Sequence, residues 1–328
     1  MNRIQNLIRH QKENRNIYSG IDSLPSGKAQ GGITKGCLVL PGGGWRGLYT
    51  QGALDALMIS EINLQTVVGV SAGALAGVGY LSRQIGYTAR INLTYRHDQR
   101  YCGARAALTD HGITGFSFLF TQIMKKKCPF DLENFYDPDR RYIAVATNLE
   151  TGRPVYFERG KCRIFRAMQA SATVPYISRP VLIDNEPYLD GGMSVHVPYD
   201  WAKKEGFDKI VVILTRDVNF RSNPGRITTA MRKTYKDYPK LMETMEREPG
   251  EYNDCLDRIE ADVQAGRTFR IAPSSPVRIS RFEGNMEKLG ELYHQGFDDT
   301  MKAIPELRRY LGLPDAENCP DPQECLPD

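Results

Sequence analysis

An α/β fold is what the sequence predicts, and three observations carry it. Short apolar runs suited to buried strands recur at Cys37–Leu40, Thr66–Val70 and Lys209–Arg216. Two of them lead into glycine-containing turns, at 41–47 and 69–73. Apolar residues at helical spacing follow the first turn, and a run of small residues able to pack closely against a sheet follows the second. The 328 residues suffice for one large domain or two smaller ones, and 41% hydrophobic with 25% charged residues is ordinary globular composition.

Charge and cysteine usage exclude several classes. A net charge of +4, with basic residues interleaved among acidic ones, gives no reason to expect nucleic acid as a partner. The seven cysteines, at 37, 102, 128, 162, 255, 319 and 325, are odd in number and scattered, without Cys-x-x-Cys or zinc spacing. Reduced thiols, no metal and a cytoplasmic protein are expected. Met1–Asn16 is polar and charged, and no run approaches the roughly 18 apolar residues of a spanning helix. Oligomeric state is not legible.

In chain order, residues 1–35 are polar and read as a loosely ordered arm. The strand Cys37–Leu40 runs into Pro41–Gly42–Gly43–Gly44–Trp45–Arg46–Gly47, and Leu48, Ala53, Leu54 and Leu57 then recur as in a helix. Backbone N–H groups converge on an anion in such a loop. Gly42, Gly44 and Gly47 also fit Gly-x-Gly-x-x-Gly, the dinucleotide pattern. That use needs an acid at the end of the next strand. The next strand ends instead in Ser71, and Glu61 precedes it, so the dinucleotide reading is set aside.

Val67–Gly77 has the form of a nucleophile elbow, a sharp strand-to-helix turn that presents one serine hydroxyl at the top of a sheet. Gly69 and Gly73 flank Ser71 where the turn leaves no room for a Cβ. Residues 81–105 read as helix and loop without assigned chemistry. Residues 112–130, with Phe116, Phe118 and Phe120 ahead of Lys125–Lys127, read as a core helix with a basic end. Transient contact with a membrane surface is the alternative.

Strands are expected at Arg141–Thr147 and Pro154–Phe157, and a helix at Cys162–Ala170. A hairpin around Asp184–Glu186 delivers Asp190–Gly191–Gly192. By itself Asp190 reads as a turn aspartate, and only its company changes that. From about Pro224 helical spacing dominates, with one further strand at Thr268–Ala272. The tail beyond Pro314 reads as frayed.

The glycine loop, Gly-x-Ser-x-Gly and Asp-Gly-Gly, in this order, resemble the patatin-like phospholipases, and Ala170–Ser171–Ala172–Thr173–Val174–Pro175 fits the segment between serine and aspartate. The resemblance runs from about Gly36 to Arg216. It implies a three-layer α/β/α acyl hydrolase, at residues 36–222, with a mostly helical extension at 223–313. It further implies Ser71 as nucleophile, Asp190 as its general base and Gly42, Gly43, Gly44 and Gly47 as the oxyanion loop. Gly191 and Gly192 allow close backbone approach, and Arg46 steadies the loop or meets a phosphate head group. The substrate implied is a phospholipid or lysophospholipid ester, with no cofactor.

Two rivals remain: a Ser71–Asp190–His294 esterase of the α/β-hydrolase type, and a catalytically silent lipid-binding protein. Against the first, none of His10, His97, His111, His196 and His294 is expected at the site. His196 lies six residues after Asp190, but Met193–Pro198 reads as leading the chain away.

Overall fold

The computed structural model describes residues 16–223 and 228–314. Expectations for His10, Cys319, Cys325, residues 1–15 of the arm and the tail from 315 lie outside the described residues. The strands are β1 (Gly27–Lys28), β2 (Ile33–Leu40), β3 (Asn63–Val70), β4 (Gln84–Ile85), β5 (Arg141–Asn148), β6 (Pro154–Glu158), β7 (Val181–Ile183), β8 (Glu186–Asp190), β9 (Ile210–Ile213) and β10 (Thr268–Ile271). The central sheet has the order β10–β9–β2–β3–β5–β8–β7, with β6 also pairing to β5. Neighbours from β10 to β5 are parallel, and β6, β7 and β8 add antiparallel pairs.

Alternation along the strands builds two cores. Leu38, Leu40, Val67 and Ala144 face one layer of helices, and Cys37, Val39, Val68 and Val145 face the other. Burial on both faces is why these parallel strands read as continuous apolar runs. The first layer includes helices Gly47–Ile59, Ala72–Leu81, Ile164–Ser171 and Met286–Leu311. The second includes Tyr199–Lys204 and part of Pro239–Gln264. The fold is the expected three-layer α/β/α sandwich with a helical C-terminal region.

Two expectations differ in detail. Residues 16–35 are not a loose arm: Leu24 and Ala29 are buried, β1 pairs with β4, and both the N–H and the hydroxyl of Ser19 bond to Glu287. The apolar residues of this stretch are scattered among Gly, Ser, Pro and Lys without a sustained period, so the sequence gives little sign of this packing. The segment 112–130 is a short helix at Phe116–Phe118 that widens into a π-helix at Leu119–Lys127. Its core reading agrees with the structure. Phe116 and Phe118 are buried, and Phe120 meets Phe165 edge-on at 5.4 Å.

The C-terminal region is built into this sandwich. β10 extends the central sheet beside β9, and helix Met286–Leu311 lies along helix Gly47–Ile59. The two helices meet at glycines: a Cβ on Gly296 would stand 2.0 Å from the Tyr49 carbonyl, and one on Gly52 2.0 Å from that of Tyr293. Across the same seam the Tyr293 hydroxyl donates to Asp55 at 2.8 Å. Gly296→Ala should therefore force the helices apart and lower Tm by about 3 °C or more. Gly250→Ala, in open space on helix Pro239–Gln264, should leave Tm unchanged or raise it. Equal losses in the two variants, by calorimetry, would refute the close seam.

Candidate active site

β3 and β8 bring the serine and the aspartate together through their shared partner. β3 runs parallel to β5 and ends with Val70 opposite Val145. β8 runs antiparallel and ends with Asp190 opposite Ala146. β6 occupies the other edge of β5 over Ile143–Thr147, so β3 and β8 lie on the same edge and meet end to end. Ser71 follows Val70 directly, and its hydroxyl donates to Asp190 Oδ2 at 2.6 Å.

The elbow is tightly held. Ser71 has φ 54° and ψ −120°, a sparsely populated conformation that costs on the order of 1–3 kcal/mol. A Cβ on Gly73 would come within 2.4 Å of the Leu40 carbonyl, so glycine is required there. The Ser71 N–H donates to the hydroxyl of buried Ser171 at 2.9 Å, and the Asp190 N–H donates to the Thr173 carbonyl at 3.1 Å. One short segment thus fixes both partners. The sequence by itself assigns Ser171 no contact with the elbow; its place in the Ala170–Pro175 string is the available signal.

The second carboxylate oxygen of Asp190 accepts the Gly192 N–H at 2.8 Å. Burial pushes the Asp190 carboxyl above the usual carboxylate range. The Ser71 hydroxyl, the Gly192 N–H, His196 and Arg281 oppose that shift. A carboxylate with raised proton affinity, bonded to a serine hydroxyl, can take that proton during attack on an acyl carbon.

The glycine loop lies over the serine, with a Cβ at Gly42 only 3.3 Å from that of Ser71. Its four glycines are not equivalent. The Gly42 N–H donates to the His196 carbonyl at 3.2 Å, and the Gly47 N–H closes the turn onto the carbonyls of Gly44 and Trp45. Those of Gly43 and Gly44 have no acceptor among the described residues. The loop therefore offers two free donors, where sequence assigned all four glycines alike. Gly44 has φ +58°, and a Cβ on it would also meet the Arg281 carbonyl at 2.9 Å.

Ser71, Asp190 and the loop open into a cavity of about 640 Å³ that the C-terminal region partly lines, through Tyr252 and Arg281 among others. His196 corrects the sequence reading. The chain returns it to the cavity wall, because the Gly42 N–H holds its carbonyl. Its ring is engaged elsewhere, with Nδ1 2.5 Å from Glu248 and Nε2 3.3 Å from Arg281 Nη2. His294 packs against Tyr18 and Tyr293, and the His97 ring bonds the Gly284 carbonyl at 2.7 Å.

A serine on a strand-to-helix turn, hydrogen-bonded to a carboxylate at the carboxyl end of parallel strands, is thus what this α/β/α sandwich presents to its cavity. The chain belongs to the patatin-like phospholipase family, whose sequence pattern matches residues 38–202, and membership implies hydrolase activity on lipids. A second pattern, a domain of unknown function (DUF6363), matches residues 238–312. The chain is 24% identical over 266 residues to YjjU of Escherichia coli K12, covering 79% of this chain and 74% of that protein. It is 27% identical over 211 residues to the probable lipid hydrolase 463L of Invertebrate iridescent virus 6, covering 57% of this chain and 72% of that protein. Lysophospholipase NTE1 of Candida albicans shares 24% identity over 66% of this chain and 17% of its own length. Among solved structures, VipD from Legionella pneumophila aligns with a TM-score of 0.43 and 14% identity, over 87% of this chain and 70% of its own.

The raised Asp190 pKa has a sign that can be tested. The folded protein holds this proton to higher pH than the unfolded chain, so ionising Asp190 costs stability as pH rises above the ordinary carboxylate value of about 3.9. Asp190→Asn removes that cost and should melt at or above the wild-type temperature at pH 7, while kcat falls about 10²- to 10⁴-fold. The acid limb of the wild-type kcat/KM profile should have its midpoint above about 3.9. A variant that melts lower at pH 7 and turns over normally would contradict both expectations.

Proposed function

We propose that this protein hydrolyses carboxyl esters of phospholipids or lysophospholipids through a Ser71–Asp190 dyad. The observation that carries the reading is the direct 2.6 Å hydrogen bond from the Ser71 hydroxyl to Asp190. Ser71 Oγ attacks the ester carbonyl while its proton passes to Asp190 Oδ2. The oxyanion that forms takes hydrogen bonds from the Gly43 and Gly44 N–H groups, at the amino end of the elbow helix. Collapse expels the alcohol, lysophospholipid or glycerophosphoryl, which leaves with the proton held on Asp190. Water then attacks the acyl-serine, Asp190 accepts its proton, and breakdown returns that proton to Ser71 as the fatty acid departs.

No cofactor enters this reading. The names of the lipid hydrolase and lysophospholipase relatives favour the same substrate class. Among the described residues no helix is long and apolar enough to cross a membrane. The strained elbow favours a reactive serine over a silent lipid-binding protein, because such strain persists where surroundings enforce it. The triad rival has no support from His294, which packs among tyrosines on the last helix.

A fluorophosphonate probe should label wild-type protein and fail to label Ser71→Ala. The same substitution should abolish fatty-acid release from a lysophospholipid. His111→Ala and His294→Ala should retain most of the wild-type kcat, whereas a loss of several orders of magnitude in folded His294→Ala would establish the triad instead. An unlabelled wild-type protein that still binds lipid vesicles would identify the silent alternative.

A further inference from the structure

Three arginines line the cavity beside the serine: Arg46 from the glycine loop, Arg216 just after β9, and Arg281 from the segment between β10 and the last helix. None is ion-paired to a carboxylate among the described residues. Arg46 is only 6% exposed, its side chain makes no hydrogen bond among the described residues, and its Nε is buried without a partner. The Nε of Arg216 is likewise buried and unpartnered. The rest of that guanidinium donates to the Val277 carbonyl at 2.8 Å and lies 4.6 Å over the Phe220 ring. Arg281 is exposed towards the opening, with Nη2 on His196.

The nearby acids are otherwise engaged. Asp190 holds Ser71 and Gly192, Glu248 holds His196, and Asp217, next to Arg216, accepts from the Asn219 N–H at 3.2 Å. Buried guanidinium groups without counter-charge are unfavourable. The strain is visible in Arg46, pushed down to about 10 by burial first and then by the charges of Arg216 and Arg281. Burial lowers Arg216 as well, with Arg281 adding to it. An entering anion relieves both buried groups, and exposed Arg281 stands at the rim to meet it.

We propose that Arg46, Arg216 and Arg281 form a phosphate subsite beside Ser71, which selects ester lipids ending in a phosphomonoester over choline phosphodiesters and neutral acylglycerols. The inference rests on the acyl-hydrolase reading of Ser71 and Asp190. A terminal phosphate has three free oxygens for three planar forks, whereas a diester has two and a carboxylate two. A choline head group would also bring a cation among arginines, and the acid best placed to receive it, Glu248, is held by His196. Two of the three arginines lie beyond residue 202, where the family pattern ends, so head-group choice is supplied largely by the region that follows it.

The test compares kcat/KM for short-chain 1-acylglycerol 3-phosphate, 1-acylglycerophosphocholine and 1-monoacylglycerol, all kept monomeric. The phosphomonoester should be preferred over each of the others about 10- to 100-fold, mainly through KM. Arg281→Ala and Arg216→Gln should each collapse that ratio, and Arg281→Lys should restore only part of it. Inorganic phosphate should compete against monoacylglycerol in wild type and do so more weakly in Arg281→Ala. Equal kcat/KM on the three substrates, with Ser71 still labelled by fluorophosphonate, overturns the subsite and leaves the hydrolase reading standing. An unlabelled Ser71 overturns the hydrolase reading itself. Competition by free phosphate without preference for the phosphorylated lipid overturns the head-group assignment in favour of a site for the free ion.

Discussion

Ser71 and Asp190 face each other because two strands running in opposite directions share one edge of β5 and stop one residue apart in register. Everything else at the site depends on that junction. A one-residue slip of β8 would turn Asp190 to the other face of the sheet, since side chains alternate. The register is held from several sides. Thr147 on β5 donates its hydroxyl to the Asp190 carbonyl at 2.9 Å, and Ser171 and Thr173 bind the serine and aspartate backbones. Hairpin β7–β8 closes through Asp184 and Asn185, both at positive φ, the geometry that fits the twist of two paired strands. Ser71 and Asp190 are therefore placed by backbone pairing rather than by side-chain rotamers alone.

Around that junction the cavity is assembled from segments far apart in the chain. Loops after β2, β3 and β9 all open at the carboxyl ends of parallel strands, where α/β sheets commonly place ligands. The Thr215 hydroxyl donates to the Gly42 carbonyl at 3.3 Å, and the Gly42 N–H bonds to His196, so the glycine loop is tied on both sides. The C-terminal region closes the remaining wall, with Arg281 packed over Gly44. Its own anchor is the glycine seam of the last helix. A region that sequence sets apart as an extension thus shares both the sheet and the site.

The legible parts were those written in short, local patterns. Buried runs gave the strands, Gly-x-Ser-x-Gly gave the elbow, and Asp-Gly-Gly became informative only beside the other two. What sequence did not disclose was set by pairing over long distances. Nothing local distinguishes Gly43 and Gly44, with free N–H groups, from Gly42 and Gly47, whose donors are used. The return of His196 to the cavity follows from one backbone bond to Gly42, and no spacing rule reports it. Residues 81–105 carried no assigned chemistry, yet Arg96 and His97 from that stretch hold the segment beside Arg281. Charged residues in a mixed stretch look alike whether they are solvated or clasping a remote loop.

That clasp is made entirely to main-chain atoms. Arg96 reaches the carbonyls of Phe282 and Glu283 at 3.1 and 2.7 Å, and His97 takes that of Gly284. Carbonyl groups are common to every residue, so the grip is indifferent to which side chains the segment carries. Position and identity are uncoupled there. Exposed Phe282 can be exchanged for a polar or charged residue while the loop stays seated over the glycine turn. The rim of the cavity is thus a place where new substrate preferences can be tried one residue at a time, without disturbing the strands that hold the chemistry.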